Sequence, residues 1–209
     1  MNLVLLGPPG AGKGTQADVL SKRLGIPRIS TGDILRTAVK TGTHIGLEAR
    51  TYMAAGELVP DAIMHDIIID CVNGPDCKDG FILDGAPRTI AQAKDLDVEG
   101  IEIDAVISIE VPDTDIQHRL EGRRTCLTCG ASFHIRSNPP RKPGICDACG
   151  DALIIRNDDL PETVRNRIYT FHNQIEPLKG YYEAQGKLRS VDNVGITETT
   201  AEIFRLLGI

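Results

Sequence analysis

The chain has 209 residues, 41% of them hydrophobic and 25% charged, with no tryptophan; this is the balance of a soluble globular protein with one sizeable core and room for small inserts. A formal net charge of −6 disfavours nucleic acid as the main partner, so any polyanion site has to be local. No run of about 18 apolar residues and no opening signal pattern occurs, which predicts a cytoplasmic protein without membrane association; there, six cysteines read as thiols or metal ligands rather than disulfides.

Leu3 to Leu6 form a continuous apolar run, as in a parallel strand buried on both faces. Gly7-Pro8-Pro9-Gly10-Ala11-Gly12-Lys13 follows with the GxxxxGK spacing of a phosphate-binding loop, and Ala17, Leu20 and Leu24 continue it with helical spacing. Glycines let backbone amides wrap phosphate oxygens, the helix N-terminus adds fixed partial charge, and Lys13 adds a full one. A plain glycine-rich turn would require neither the lysine nor the flanking strand and helix. Gly14 stands where a Ser or Thr is usual and the hydroxyl comes one residue later, at Thr15, which leaves direct Mg2+ ligation by Thr15 open.

Further candidate strands are Arg28 to Ser30, Phe81 to Leu83, Ala105 to Val111 and Leu188 to Val191. Helical spacing recurs at Ile63, Ile67 and Cys71 and at Ile203, Leu206 and Leu207; Asp113 after Pro112 opens another helix, and Pro161-Glu162 opens a long one running toward Tyr182. The alternation predicts an α/β fold, a doubly wound parallel sheet of five strands with helices on both faces. Two regions interrupt it: roughly residues 30–59, polar and helical, and roughly 122–159, rich in Cys, Gly and Pro.

In the second interruption Cys126, Cys129, Cys146 and Cys149 read C-x2-C-x16-C-x2-C, each pair followed by glycine, which suits two knuckles presenting thiolates to one tetrahedral ion. Few large apolar residues and the Pro139-Pro140 and Pro143-Gly144 pairs leave this insert without a core of its own, so it needs a staple. Four thiolates fill the coordination shell, which makes the ion structural: zinc by default, with iron or cobalt also accepted and disulfides or a vestigial site as the alternative. Because four cysteines already complete the site, His134 reads as solvated or facing nucleotide, with ligation only in reserve, while Cys71 and Cys77 read as an apolar helix position and a loop thiol. Arg119, Arg123, Arg124, Arg156, Arg165 and Arg167 flank the insert in an otherwise acidic chain. Bringing such charges together calls for an anion, and guanidinium forks match phosphate; for Arg124 and Arg165 a solvated surface charge is the alternative.

Taken in order, these motifs resemble the adenylate kinase family, in its form with a zinc-bearing lid, over nearly the whole chain. GPPGAGKGT resembles the family's phosphate loop, ISTGDILR at Ile29 to Arg36 its monophosphate-binding segment, and LDGAPRT at Leu83 to Thr89 its second signature. Further matches are Gly122 to Arg124, Arg156 to Asp159 and Glu162 to Arg167. The family usually carries an aromatic where Ala86 stands, a departure that bears on local packing more than on chemistry.

The resemblance implies reversible transfer of the terminal phosphoryl group of MgATP to AMP, giving two ADP, with a core of residues 1–29, 60–121 and 160–209, an NMP-binding insert at 30–59 and a zinc-ribbon-like lid at 122–159. Lys13 and the amides of Gly10, Ala11, Gly12, Gly14 and Thr15 would hold the ATP phosphates, with Arg119 and Arg123 contributing from the lid side. Ser132, Phe133 and the chain near Gly195 would approach the rest of ATP. Arg36 and Arg88 would clamp the AMP phosphate; Thr31, the backbone of Glu57, Leu58 and Val59, Gly85 with the adjoining Ala86 and Pro87, and Gln92 would read AMP. Arg156 and Arg167 would bridge the two nucleotides, making Lys13, Arg88, Arg123, Arg156 and Arg167 the catalytic set. Asp84 would orient Mg2+ through water. Two other functions remain consistent with the sequence: a related kinase acting on UMP or CMP, and a zinc-ribbon nucleic-acid-binding module switched by nucleotide. The insert's few aromatics and the acidic charge disfavour the second. A monomer acting on ATP, AMP and ADP is expected.

Overall fold

The computed structural model describes residues 1–209. Its centre is the N-terminal apolar run, β1 (Asn2–Leu6), whose alternate side chains enter two separate cores: Val4 and Leu6 pack on one face of the sheet and Leu3 and Leu5 on the other. The pleat of a strand buried on both sides dictates this split. β1 leads through the glycine-rich loop into α1 (Lys13–Leu24), then come β2 (Arg28–Ser30), α2 (Thr31–Thr41), α3 (His44–Ala55) and α4 (Asp61–Val72). β3 (Phe81–Asp84), α5 (Ile90–Val98), β4 (Ala105–Glu110) and α6 (Asp113–Glu121) complete the first half.

The antiparallel strands β5 (Arg123–Cys126), β6 (Ser132–His134) and β7 (Leu153–Ile154) then form a separate small sheet, ordered β6-β5-β7. The chain returns through α7 (Pro161–Thr170), α8 (Pro177–Glu183), β8 (Leu188–Asp192) and α9 (Ile196–Leu207). The large sheet is ordered β2-β3-β1-β4-β8 and every pairing in it is parallel, as the sequence predicts. Helices α4, α5 and α8 cover one face through Met64, Ile68, Leu96 and Leu178, and α1, α6, α7 and α9 cover the other through Leu20, Ile116, Val164 and Ile203. No residue of 122–159 belongs to either core; Leu127, Ile135 and Ile155 in that stretch are exposed.

The expected single helix from Pro161 toward Tyr182 is interrupted. α7 widens into a π-helical turn at Phe171–Ile175, and α8 restarts at Pro177, whose ring removes a backbone donor and fits the first turn of a new helix. The wider turn separates the roles of adjacent side chains. Phe171 is buried toward the sheet's carboxyl edge, while His172 points outward between Asp113 of α6 (3.1 Å) and Glu176 (2.8 Å). Glu176 also pairs with Lys179, which reaches Glu110 at the end of β4.

Hydrogen bonds to Glu176 and Asp113 raise the His172 imidazole above its ordinary range. A raised value means that the protonated ring stabilises the fold below the unfolded-state pKa, and that this contribution is lost as pH climbs through the folded-state value. His172→Gln should therefore lower the melting temperature by about 1–2 °C at about pH 6, the scale of an exposed ion pair, and leave it unchanged at about pH 9. Equal shifts at both pH values would contradict a titrating bridge.

Candidate active site

The carboxyl ends of β1, β3 and β2 open onto one cleft, the position at which a doubly wound sheet binds its ligand. From β1 the chain enters the loop through Gly7 (φ 139°), where a Cβ would come within 2.5 Å of the Ile109 carbonyl, so only glycine lets the loop leave the sheet this closely. Gly12 (φ 93°) then starts α1, and no side chain caps that helix and no acidic residue occupies its first turn. Its first amides are left facing the cleft, with the positive end of the helix dipole behind them. Lys13 Nζ donates to the carbonyls of Gly7 (2.6 Å) and Pro8 (2.9 Å), so the loop is folded around its own lysine. Behind the loop, Asn193 Nδ2 donates to the Ala11 carbonyl (2.5 Å) and Arg119 donates to the Asn193 carbonyl (3.1 Å), tying the end of β8 and α6 to it.

The second wall grows from β3, which runs one residue further than the sequence spacing predicts and so carries Asp84 at its end. Gly85 follows at φ 90°, with its carbonyl accepting from Thr31 Oγ1 (2.9 Å) and Arg88 Nε (2.6 Å). The Ala86–Pro87 peptide is cis, and Ala86 is buried in the core. Gln92 is buried and already engaged. Its Oε1 accepts from the Arg88 amide (2.7 Å), and its Nε2 donates to Asp61 (2.6 Å), which also takes the Thr89 hydroxyl (2.9 Å). Leu58, Val59 and Glu57 line the cleft beside Arg36, Arg88 and Arg167.

Carboxylates interleave with the arginines. Arg123 holds Asp159 through both Nε (2.7 Å) and Nη2; Arg167 reaches Asp158 (2.9 Å) and Asp159 (3.2 Å). Arg36 lies 2.6 Å from Asp33 and 3.9 Å from Asp158, and Asp33 in turn lies 3.5 Å from Arg28. Arg156 Nε donates to Thr125 (2.8 Å) and has no ion pair. The six arginines flanking the insert do not all converge: Arg124 folds onto the carbonyls of Glu121 and Arg123, and Arg165 is exposed on α7. In the small sheet, Ser132 and Phe133 pair with Thr125 and Arg124, and Gly195 starts α9.

Burial sets the electrostatics. It brings Lys13 down from the ordinary lysine value to about 8, with Asp84 opposing and Arg88, Arg167 and Arg123 adding to the fall. Burial likewise pushes the Arg88, Arg156 and Arg167 guanidiniums below their ordinary range, each helped by a neighbouring arginine. Guanidinium keeps its proton in proteins, so for these residues the depression reflects the cost of a charge stripped of solvent beside like charges, which an anion would offset.

The four cysteine sulfurs all lie within 4.8 Å of one another, and the Cys126–Cys149 and Cys129–Cys146 pairs stand 3.4 and 3.5 Å apart. Thiolates on one tetrahedral zinc, about 2.3 Å from the metal, stand about 3.8 Å apart, so the cluster fits such an ion. Both knuckles fold alike: Gly130 and Gly150 donate to the carbonyls of Cys126 and Cys146, and Cys126 and Cys146 donate to Ala131 and Asp151. Desolvation raises the Cys126 thiol, but hydrogen bonds from the Cys129 and Thr128 backbone outweigh it and bring the thiol down to about 7. His134 is not beside the sulfurs. Its Nδ1 accepts from the amides of Arg136 and Ser137, its Nε2 contacts the His118 carbonyl, and its ring packs where a Gly122 side chain would stand.

A sequence model of the family described as "Adenylate kinase" matches residues 5–187. The chain is also 53% identical to an adenylate kinase of Caldicellulosiruptor bescii and 48% identical to one of Lachnospira eligens, in both cases over 100% of each chain. The chain belongs to the adenylate kinase family. It is therefore an enzyme, a kinase that transfers phosphoryl groups between nucleotides, and its parallel five-stranded sheet and four-cysteine cluster are those of the zinc-lid form of the adenylate kinases. Another relative, the adenylate kinase of Syntrophobacter fumaroxidans, is 51% identical over 93% of each chain.

Reading the sequence alone passes over three groups. Asp158 and Asp159 are counter-ions, although the matched segment Arg156 to Asp159 gives them no role in the sequence; Asn193 secures the loop from 182 residues away and leaves no local pattern; Arg28 sits in a strand and reads as a strand residue.

Two outcomes are expected. Stripping the four-cysteine cluster of a bound metal with a chelator should lower the thermal transition by about 5–10 °C, because a stretch without an apolar core would lose its staple; an unchanged melting curve after verified removal would show that the cysteines hold no ion the fold depends on. A nucleoside triphosphate should restore the Lys13 proton, so binding at about pH 8 takes up protons and weakens as pH rises further. Titration calorimetry in buffers of different ionisation enthalpy reads this directly, and identical heats would exclude it.

Proposed function

We propose that this enzyme reversibly transfers the terminal phosphoryl group of MgATP to AMP, giving two ADP, and so balances the adenine nucleotides in energy homeostasis. The observation that carries this reading is the convergence of Lys13, Arg36, Arg88 and Arg167 on one cleft between the uncapped start of α1 and the Gly85 turn. Such a cleft has room for phosphate groups from two directions.

On this reading the amides of Gly10 to Thr15 and Lys13 hold the ATP phosphates, and Lys13 exchanges the carbonyls of Gly7 and Pro8 for phosphate oxygens. Arg36 and Arg88 take the AMP phosphate. Thr31, the Glu57 to Val59 backbone, Gly85 and Gln92 surround the rest of AMP, with Gln92 also holding the Arg88 backbone in place. Arg123, Arg156 and Arg167 exchange Asp158, Asp159 and Thr125 for the moving phosphoryl group. Arg119, Ser132, Phe133 and the backbone at Gly195 flank ATP. Asp84, with one carboxylate oxygen unbonded to protein, orients the water shell of the substrate's Mg2+.

The acceptor phosphate is already a nucleophilic oxyanion, so the residues need supply no general base; alignment and charge stabilisation carry the rate. Residues 30–59 and 122–159 act as inserts that close over the core (1–29, 60–121, 160–209) and exclude water, the competing acceptor. The four cysteines hold a structural zinc, which shapes the lid and takes no part in transfer. The enzyme works as a cytoplasmic monomer on small nucleotides, without nucleic-acid or membrane partners; no helix is long and apolar enough to cross a membrane.

A coupled assay of ADP formation should give selective turnover with AMP over CMP, UMP and GMP. Arg88→Ala should lower turnover by about 10^2-fold, the scale of losing one preorganised donor to transition-state charge. Near-normal turnover by the folded variant, or preference for a pyrimidine acceptor, would overturn the assignment.

A further inference from the structure

Arg28 lies outside the roles given above, yet its guanidinium is the meeting point of three elements. Nε and Nη2 both donate to the same oxygen of Asp84, Oδ2, at 3.1 and 2.7 Å; Nη1 donates to Asp18 of α1 at 2.9 Å; and Nη2 lies 3.5 Å from Asp33 of α2. The side chain is four-fifths buried and the Asp84 side chain nine-tenths buried. The fork sits against the phosphate loop: a Cβ at Gly14 would stand 2.8 Å from Arg28 Nη2 and 3.4 Å from Asp84 Oδ2. The hydroxyl expected after the loop lysine is thus missing at the place where the guanidinium and the carboxylate meet.

We infer that Arg28 is a positioning residue for the metal-bearing nucleotide: by clamping Oδ2 of Asp84 it fixes the carboxylate so that Oδ1, which accepts from no protein group, stays available to the hydrated Mg2+ of MgATP. This rests on the reading of Asp84 given above. The alternative for an unclamped Asp84 is close at hand, because both Lys13 and Arg88 feel its charge. Released from Arg28, the carboxylate would turn toward those cations and compete with phosphate for them instead of meeting the metal. A two-point grip on one oxygen is a task for a planar fork, which a lysine ammonium fulfils only in part. Asp18 and Asp33 hold the guanidinium from the far side, so the clamp is itself held in place.

The test compares MgATP with metal-free ATP by titration calorimetry, alongside steady-state kinetics, for the parent enzyme and for Arg28→Gln, Arg28→Lys and Asp84→Asn. Arg28→Gln should cut the preference for MgATP over metal-free ATP about tenfold and lower kcat about tenfold, while KM for AMP stays within about twofold; Arg28→Lys should fall between it and the parent. The sign is decisive. Removing a positive charge beside a carboxylate would by itself tighten Mg2+ binding, so a raised preference for MgATP would show that Arg28 merely offsets charge and would overturn the inference. An unchanged preference in Arg28→Gln with a lowered one in Asp84→Asn would overturn it too. No change in Asp84→Asn would instead remove the reading of Asp84 on which it rests. Should Arg28→Gln not fold, Arg28→Lys carries the same comparison, with a severalfold drop expected and parity with the parent overturning the inference.

Discussion

Like charges held close together in a half-buried cleft are the constraint on which this structure turns. Lys13, Arg88, Arg156 and Arg167 are each disfavoured by loss of solvent and again by neighbouring arginines. Nothing about such a cluster favours folding; the scaffold has to hold it. It does so with backbone carbonyls at Gly7, Pro8 and Gly85 and with the carboxylates of Asp158 and Asp159. The rigid part of that scaffold is the parallel sheet, whose two-sided core fixes the strand ends from which the loop, Asp84 and Thr31 emerge.

The same logic separates the parts of the chain by what stabilises them. The stretch 30–59 contributes Leu35, Ala49 and Val59 to the main core and is anchored by apolar contact. The stretch 122–159 contributes none. Its cohesion comes from three short strands, two matching knuckles, four sulfurs and the Arg123–Asp159 pair, and its connection to the rest runs largely through Arg167, which holds Asp158 and Asp159, and the His134 contact with α6. A segment joined to its body mainly by polar contacts can change its position without disrupting a packed interior.

The fold was largely legible because its signals are local. Alternation of apolar runs and helical spacing places all five parallel strands within a residue or so, and the GxxxxGK spacing and the cysteine pairs each encode a compact piece of backbone. What stayed hidden depends on distant partners or on a shift in hydrogen-bond register. The π-helical turn at Phe171–Ile175 is invisible because no Gly or Pro within it marks a break; only Pro177 marks the restart. Arg124 and Arg165 carry the same charge as Arg123 and Arg167, and helix phase and hairpin register, not composition, decide that they turn away. His134, in the sequence a reserve ligand beside four cysteines that already complete the site, has its ring claimed by the tight turn after it. For Gln92, the motif shows the residue but not that Asp61 and the Arg88 amide already occupy its amide group.

The train of paired charges running from Arg28 through Asp33, Arg36, Asp158, Arg167 and Asp159 to Arg123 has one more effect. An anion reaching Arg36, Arg123 or Arg167 does not meet a bare cation; it meets one that already holds a tethered carboxylate, present at very high effective concentration. A singly charged, spherical anion such as chloride gains little over a carboxylate and so cannot displace it. A phosphate offers more charge and oxygens spaced for a guanidinium fork, and can. The carboxylates thereby set an entry threshold that screens out the abundant small anions of any salt solution, and they keep the arginines for ligands that bring several negative charges at once.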